Sequence, residues 1–428
     1  MKNYKRSYKT IYLFIAKEFF ISFLVAFSFF FFIFFVNQLL LMAGEILEKS
    51  VSFSIVVKLI IFSLPAIVAI AFPFATLVGA LMAVGKLSSD NEILAMECSG
   101  ISLRRVFLPL IAIGALFSIF SFIVNDYFLP LGTLHFTKLY KELIYSNPEL
   151  ELEPNSIKRY QDSTIITGNI TEGEIDNIVI IDRSVENDKR IILAQNGNFN
   201  SQEDIEGVIS LNLSNVFTHV IVTNVKGNFS YSRAGKMIYN ILLKDISVSL
   251  KNPGPREMSS RDVFAVIKEK QGDFNERLLQ QNNLAGVSRY RLLSSYGEIT
   301  DHMEDDAFAS KSELLNRNLD KYIRERDKRL EDKSLQIWKL EFYQKMSIPF
   351  SCLPFILLAF PLGLFTKRSG KSVGFGIGLL ITVVYWIMLI GGRTIGIRTA
   401  VSPALVMWLP NVFIFLTGSI LLIRRVRQ

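Results

Sequence analysis

The chain changes character twice. It does so first at Asn125-Asp126-Tyr127-Phe128-Leu129-Pro130 and again at Glu341-Phe342-Tyr343-Gln344-Lys345-Met346. The stretch between these points, residues 126–345, is polar and charged and carries strand-like pieces. Three long uncharged runs precede it, at 19–42, 59–85 and 106–125, and three follow it, at 346–366, 372–392 and 399–423. They are 24, 27, 20, 21, 21 and 25 residues long. A helix rises about 1.5 Å per residue and a bilayer core is roughly 30 Å thick, so each run is long enough to span. The pattern predicts an α-helical membrane protein with three spans, an inserted domain and three more spans.

Composition agrees, with 50% hydrophobic residues and 35 Phe in 428. The formal net charge of +8 would suit a nucleic-acid partner, but the basic residues sort by loop. Lys2, Lys5, Arg6, Lys9 and Lys17 precede the first run; Lys86, Arg104 and Arg105 follow the second; Lys367, Arg368 and Lys371 follow the fourth; Arg424, Arg425 and Arg427 end the chain. If six helices alternate, all four groups fall on one side. The positive-inside rule makes that side cytoplasmic, with both termini, and puts residues 126–345 outside, in the periplasm of a bacterium. No nucleic-acid partner is implied. The first run is too long for a signal peptide and has no prompt cleavage site, so it reads as a retained helix. Cys98 and Cys352 fall in a cytoplasmic loop and a span, and a bond between them is not expected.

The first run holds ten Phe between 19 and 36, Phe27, Phe31 and Phe34 among them. Either lipid contact alone or contact with an apolar ligand as well accounts for them. Asn37 and Gln38 close its outer half, as hydrogen-bonding groups or as interface markers. Lys58 stands at the outer mouth of the second span, placed to snorkel or to meet an anionic head group. Pro65 and Pro73 shape that span, and Pro349, Pro354 and Pro361 shape the fourth. Gly374, Gly376, Gly378, Gly391 and Gly392 make the fifth a helix for close packing or for gating. Arg393 and Arg398 flank the outer loop that follows it.

Residues 86–105 form the first substantial cytoplasmic loop. Ser88, Ser89 or Asp90 is expected to cap a short helix bearing Glu92, Ile93, Leu94 and Met96, which Gly100 ends. Such a helix is either a handle for a soluble partner or a solvated connector. In the outer stretch, 164–167, 178–181, 190–194, 207–213, 216–222 and 237–248 read as strands between Gly and Asn turns, which suggests a sandwich or partly open barrel. Pro253-Gly254-Pro255 closes them. Residues 259–262 cap a polar helix, and 270–335 reads as one or two helices with a break near 294–297. Leu278, Leu279, Leu284, Leu314 and Leu315 either dock or are solvated. Glu341 and Lys345, four apart, pair along one helix face or turn to a neighbouring subunit.

No catalytic constellation stands out. His135, His219 and His302 have no ligand-spaced neighbours, and no carboxylate lies in mid-span. Residues 365–372 end like a phosphate loop but lack its leading Gly and its strand–loop–helix setting. Uphill transport would therefore need energy from a partner.

Four local strings carry a family resemblance. Gly85-Lys86-Leu87-Ser88-Ser89-Asp90-Asn91-Glu92-Ile93, with Gly100-Ile101-Ser102-Leu103-Arg104-Arg105, resembles the loop between spans two and three in permease subunits of the bacterial lipopolysaccharide export machine. Ala71-Phe72-Pro73 with Gly79 and Leu81 resembles the preceding span. Glu341-Phe342-Tyr343-Gln344-Lys345 with Ile348-Pro349, and Pro361-Leu362-Gly363 with the basic turn and Gly370, resemble the two ends of span four.

The resemblance implies six spans, a periplasmic all-β, jelly-roll-like domain and a helical return segment. It divides the chain at 1–129, 130–253, 254–344 and 345–428. It implies a non-catalytic inner-membrane subunit without a cofactor of its own, paired with a homologous six-span permease. A cytoplasmic dimer of ATP-binding subunits, using ATP and Mg2+, would drive it, and a jelly-roll bridge protein would receive a glycolipid. It places the coupling helix at 89–100, with Asp90, Glu92, Ile93, Arg104 and Arg105 as partner-coupling positions. The glycolipid-contacting candidates are Phe27, Phe31, Phe34, Asn37, Gln38, Lys58, Arg393 and Arg398. Pro65, Pro73, Pro361, Gly374, Gly378 and Gly391 are candidate gate or hinge positions. Two departures stand out: the first span lacks the basic residues frequent in the family, and 270–335 is longer than the usual return helix. Another envelope amphiphile, such as a lipoprotein, is the alternative cargo; a scaffold or sensor is the alternative class.

Overall fold

A computed structural model describes residues 2–42, 52–146, 154–160, 163–171, 174–183, 188–200, 208–222, 229–242, 253–300, 308–328, 330–365, 370–399 and 401–427. The loop at 45–51, the Gly227-Asn228 turn, residues 243–248 and the basic turn with Lys367 and Arg368 lie outside them. Among the described residues, five helices are long and apolar enough to cross a membrane, and a bent pair makes a sixth candidate. The chain divides into two compact units, Met1–Phe30 with Ala69–Asp126 and Met258–Gln428, and Phe31–Val68 with Tyr127–Glu257.

The helices with residues in the first unit are α1 (Lys2–Met42), α2 (Phe53–Ser89), α3 (Glu92–Cys98), α4 (Leu103–Ile123), α6 (Ser260–Thr300), α7 (Phe308–Asp327), α8 (Lys333–Phe350), α9 (Cys352–Phe365), α10 (Gly370–Arg398) and α11 (Pro403–Arg427); α5 (Leu129–Ser146) belongs to the second. Small residues set the helix spacing, because without a Cβ two backbones can touch. A Cβ on Gly79 would stand 2.6 Å from the Phe23 Cα of α1, and one on Gly374 would stand 2.7 Å from the Leu81 carbonyl oxygen of α2. Around Gly79, Phe23 meets Phe117 at 4.8 Å and Phe72 at 5.1 Å between ring centroids, an aromatic knot of α1, α2 and α4. That knot is where part of the phenylalanine-rich run goes.

The fourth apolar run folds as the bent pair: α8 and α9 meet at about 40° across Ser351. Pro349 and Pro354 flank the bend, and each lacks the N–H that would hold the carbonyl one turn earlier. The third helix does not stop at Asn125-Asp126. It loosens into a π-turn over Val124–Phe128 and continues as α5. Pro130 lies just inside that continuation, where its missing donor fits a locally re-registered ladder.

Helices α6 and α7 form a polar hairpin. α6 runs unbroken through 294–297 to Thr300, so the expected break does not occur there. Ser259 starts α6 as foreseen: its Oγ donates to the Asp262 carboxylate at 2.7 Å and accepts from the Asp262 N–H at 3.3 Å. The hairpin interface is small and polar, with Ser288 and Ser295 buried and the Asn318 amide donating to Ser295 Oγ at 3.2 Å. At its base Val263, Ile267 and Leu335 form an apolar core with Phe274, Trp338 and Phe342. Leu278, Leu279, Leu284 and Leu314 remain exposed.

In the second unit, α5 packs Leu143 with Met42, Val56 and Leu59. The strands are β1 (Ile157–Tyr160), β2 (Ser163–Ile166), β3 (Ile170–Thr171), β4 (Glu174–Asp182), β5 (Asp188–Asn200), β6 (Val208–Val222) and β7 (Phe229–Leu242). They form one antiparallel sheet in the order β1-β2-β4-β5-β6-β7, with β3 paired to β4. Residue 207 lies outside the described residues, and residues 208–213 and 216–222, read in separate strands in the sequence, belong to one long strand. Its rows are apolar on one face: Ile165 opposes Ile180, Ile180 opposes Ile192, and Leu211 opposes Tyr239. These residues are almost fully buried. The Tyr239 hydroxyl donates to Ser163 Oγ at 3.1 Å although β7 and β2 lie toward opposite ends of the strand order. The sheet therefore curls over its own apolar face, in the sense that strand twist favours.

Candidate coupling site and membrane polar network

The short helix α3 sits where the loop reading placed it, but its start differs from the expectation. α2 continues through Ser88 and Ser89, so neither serves as a cap. The cap position is Asn91, in the left-handed region at φ 57°, with no side-chain cap bond. Asparagine tolerates that backbone because its short polar side chain pays little steric penalty. Ser88 Oγ instead donates to the Leu364 carbonyl at 3.3 Å, tying the end of α2 to α9. Gly100 ends α3 as expected, with φ 84°, its N–H on the Glu97 carbonyl and the Ile101 N–H on that of Met96. This is the closing geometry glycine permits.

Ile93 is the buried anchor of α3, whereas Leu94, Ala95, Glu97 and Cys98 are exposed. Asp90 is exposed in the turn and accepts from Ser89 Oγ at 3.3 Å. Glu92 turns partly inward, and its Oε2 is buried with no hydrogen-bond partner. Burial pushes the Glu92 carboxyl above the usual carboxylate range; Asp90 and Glu18 add to this, and Lys86 opposes it. Lys86 bonds Glu18 of α1 at 2.8 Å. Arg104 and Arg105 are exposed at the start of α4. The outward face of α3 thus offers a small, mostly apolar ridge flanked by acidic and basic groups, a shape that a partner groove can hold.

A second constellation lies where α8 approaches the bundle. Glu341 and Lys345, read as a local pair or as groups turned to a neighbouring subunit, each make a longer-range contact within the chain. Glu341 takes Arg393 of α10, and Lys345 Nζ donates to the Met258 carbonyl. The neighbouring π-turn supplies two hooks. Asn125 Nδ2 donates to the Lys345 carbonyl at 3.0 Å, and Asp126 accepts the Ser260 N–H at 2.6 Å. Deeper in, Tyr385 donates to Asn411 Oδ1 at 3.0 Å, Asn411 Nδ2 donates to the Ser347 carbonyl at 2.8 Å, and Ser347 Oγ donates to the Met407 carbonyl at 2.6 Å. Every amide atom of Asn411 has a partner, the condition under which buried polar groups hold helices together in lipid.

The remaining sequence candidates scatter. Phe27, Phe31 and Phe34 are half-buried, Phe31 stacking on Phe35 at 5.9 Å; Asn37, Lys58 and Arg398 are exposed and Gln38 is half-buried. Arg393 faces Glu341 and Gln344. Pro65 is half-buried, while Pro73 and Pro361 are buried. Gly374 and Gly378 are contact points of α10 on α2, whereas Gly391 has open space where a Cβ would stand. Sequence reading did not single out Asn411 or Ser347, and took Asn125 and Asp126 as the end of a span. A polar residue inside an apolar run is the signal for all four, and it does not name the partner. Among the described residues no group of three or more His, Cys, Asp or Glu could hold a metal ion.

The sequence matches, over residues 13–424, the family described as lipopolysaccharide export system permease LptF/LptG. No curated protein matches the chain.

Proposed function

This chain belongs to the lipopolysaccharide export system permease family LptF/LptG, and from that premise we propose that it extracts lipopolysaccharide or a related glycolipid from the inner membrane and passes it toward the outer membrane. The family match over nearly the whole chain carries the reading. It is a multi-pass inner-membrane protein of an ATP-driven transporter. We place both termini in the cytoplasm and the strand domain in the periplasm, with working divisions at 1–129, 130–253, 254–344 and 345–428. The partners would be a homologous six-span permease, a dimer of ATP-binding subunits and a periplasmic bridge protein.

The coupling step follows from α3. Its anchored Ile93 and exposed ridge let a groove on the ATP-binding subunit grip it, and Glu92 offers a carboxylate to a basic group there. Closure of the ATP-binding dimer would pull α3, and with it α2 and α4, so that the vestibule beside α1 and α10 narrows on the acyl chains. Apolar walls suit this cargo: each buried CH2 contributes about 0.8 kcal/mol without any fixed polar pocket. The curled sheet, with its apolar face turned inward, would receive the chains and close in jelly-roll fashion.

Purification from the native membrane under mild extraction, with mass spectrometry of bound proteins and lipids, tests this. The reading expects an ATP-binding subunit, a six-span homologue and a glycolipid. Recovery of the chain alone under several gentle conditions would overturn it in favour of a scaffold or sensor. Glu92→Arg should abolish export at normal complex abundance.

A further inference from the structure

The Glu18–Lys86 bond joins α1 to the last turn of α2, immediately before the turn that leads into α3. Four charged groups meet there: Glu18 on α1, Lys86 on α2, Asp90 in the turn and Glu92 on α3. Glu18 bonds Lys86 directly, and Asp90 and Glu92 act on it through their charge. Glu18 is largely buried, and one of its oxygens takes Lys86 while the other is buried without a partner. Glu92 has a buried orphan oxygen as well. Lys86 has three N–H donors on a four-carbon stem and lies within electrostatic reach of both carboxylates.

We propose that Lys86 is shared between Glu18 and Glu92, so that the seating of α1 sets whether Glu92 is free to grip the ATP-binding subunit. With α1 seated, Glu18 holds Lys86 and the Glu92 carboxylate is left for the partner's basic group. When α1 moves away, Lys86 turns to Glu92, satisfies its orphan oxygen and weakens the grip. By linkage the ATP-binding subunit, once docked, favours the seated α1. Glu18 and Lys86 are thus positioning residues, and the signal runs from the membrane bundle to the motor. This rests on the coupling role of Glu92 proposed above.

The test is epistasis in the assembled permease pair held in nanodiscs, with the affinity of its ATP-binding subunit as the readout. Glu18→Gln should weaken docking roughly fivefold, the worth of one modest ion pair. Lys86→Gln alone should tighten docking, and the double variant should regain at least the wild-type affinity. If the pair is only a brace, Lys86→Gln and the double variant will be as weak as Glu18→Gln, and the inference fails. It also fails if Glu18→Gln docks as wild type while Glu92→Gln docks poorly. If Glu92→Gln has no effect either, the coupling role of Glu92 falls with it. A second readout is independent of affinity: zero-length carbodiimide coupling should join Lys86 to Glu18 in the wild type and to Glu92 in Glu18→Gln. Absence of the Lys86–Glu92 product in that variant overturns the sharing.

Discussion

Pro349 lacks the N–H that a regular helix would give to the Lys345 carbonyl, and Asn125 reaches across from the π-turn after α4 to fill the gap at 3.0 Å. Asn125 is 6% exposed, so water is not a ready substitute. Asn125→Ala therefore leaves a buried carbonyl unpaired, which costs about 1–3 kcal/mol. Interhelical hydrogen bonds in membranes average nearer 0.6 kcal/mol, with a maximum of about 1.7. A loss of about 1–1.5 kcal/mol follows. The decisive comparison is the same substitution in Pro349→Ala, where the backbone regains its donor and the amide becomes redundant. There Asn125→Ala should cost less by about 1 kcal/mol, a coupling energy well within the range for residues that share one acceptor. SDS titration in mixed micelles, with a tertiary-structure probe, measures both arms of the cycle. An equal cost in the two backgrounds would refute the claim that Asn125 supplies the missing donor.

Two glycines should respond with opposite signs: Gly79→Ala drives a Cβ into the α1 backbone and should cost about 1–3 kcal/mol, whereas Gly391→Ala meets nothing and should stabilise its helix by up to about 1 kcal/mol, both read by the same titration. Tyr239→Phe removes the bond that holds the curled sheet to Ser163 and should cost about 1 kcal/mol. Burial raises the Tyr239 pKa, so the unfolded phenol ionises first; stability is complete below about pH 10 and falls as pH rises through the folded pKa, seen as an alkaline loss of strand signal that the Phe variant lacks. Asp332 caps α8 through the Leu335 N–H at 3.0 Å and pairs with Arg277. Asp332→Ala should cost about 1 kcal/mol at neutral pH. These partners hold its carboxyl below the usual range, so the cost should shrink as pH falls through that lowered pKa.

Helix existence was readable because spanning length is a one-dimensional property: twenty uncharged residues span whatever their neighbours are. The strands at 164–167, 178–181 and 190–194 were readable for the same reason, since turn residues bracket them. The short helix between spans two and three is legible in the sequence, but its cap is not. Ser88, Ser89 and Asp90 are all good capping residues, but α2 continues through Ser88 and Ser89, with Ser88 docked on the Leu364 carbonyl, and Asp90 falls in the turn before the Asn91 cap. The same limit explains Glu341 and Lys345. Their spacing allows a local pair, yet each also bonds a residue far away in the chain, and a long-range partner leaves no mark at fixed sequence distance.

The sequence by itself determined the number and length of the membrane runs, the insertion between the third and fourth, the basic bias of the loops and the helix that links spans two and three. These depend on hydrophobicity, periodicity and charge, which are local sums along the chain. Only the tertiary structure decided which carbonyl Asn125 completes, which carboxylate Lys86 holds, and that the sheet curls until Tyr239 reaches Ser163. Those pairings join residues 68 positions apart for Lys86–Glu18, 76 for Tyr239–Ser163 and 220 for Asn125–Lys345, chosen by helix packing and sheet curvature and not by any local preference.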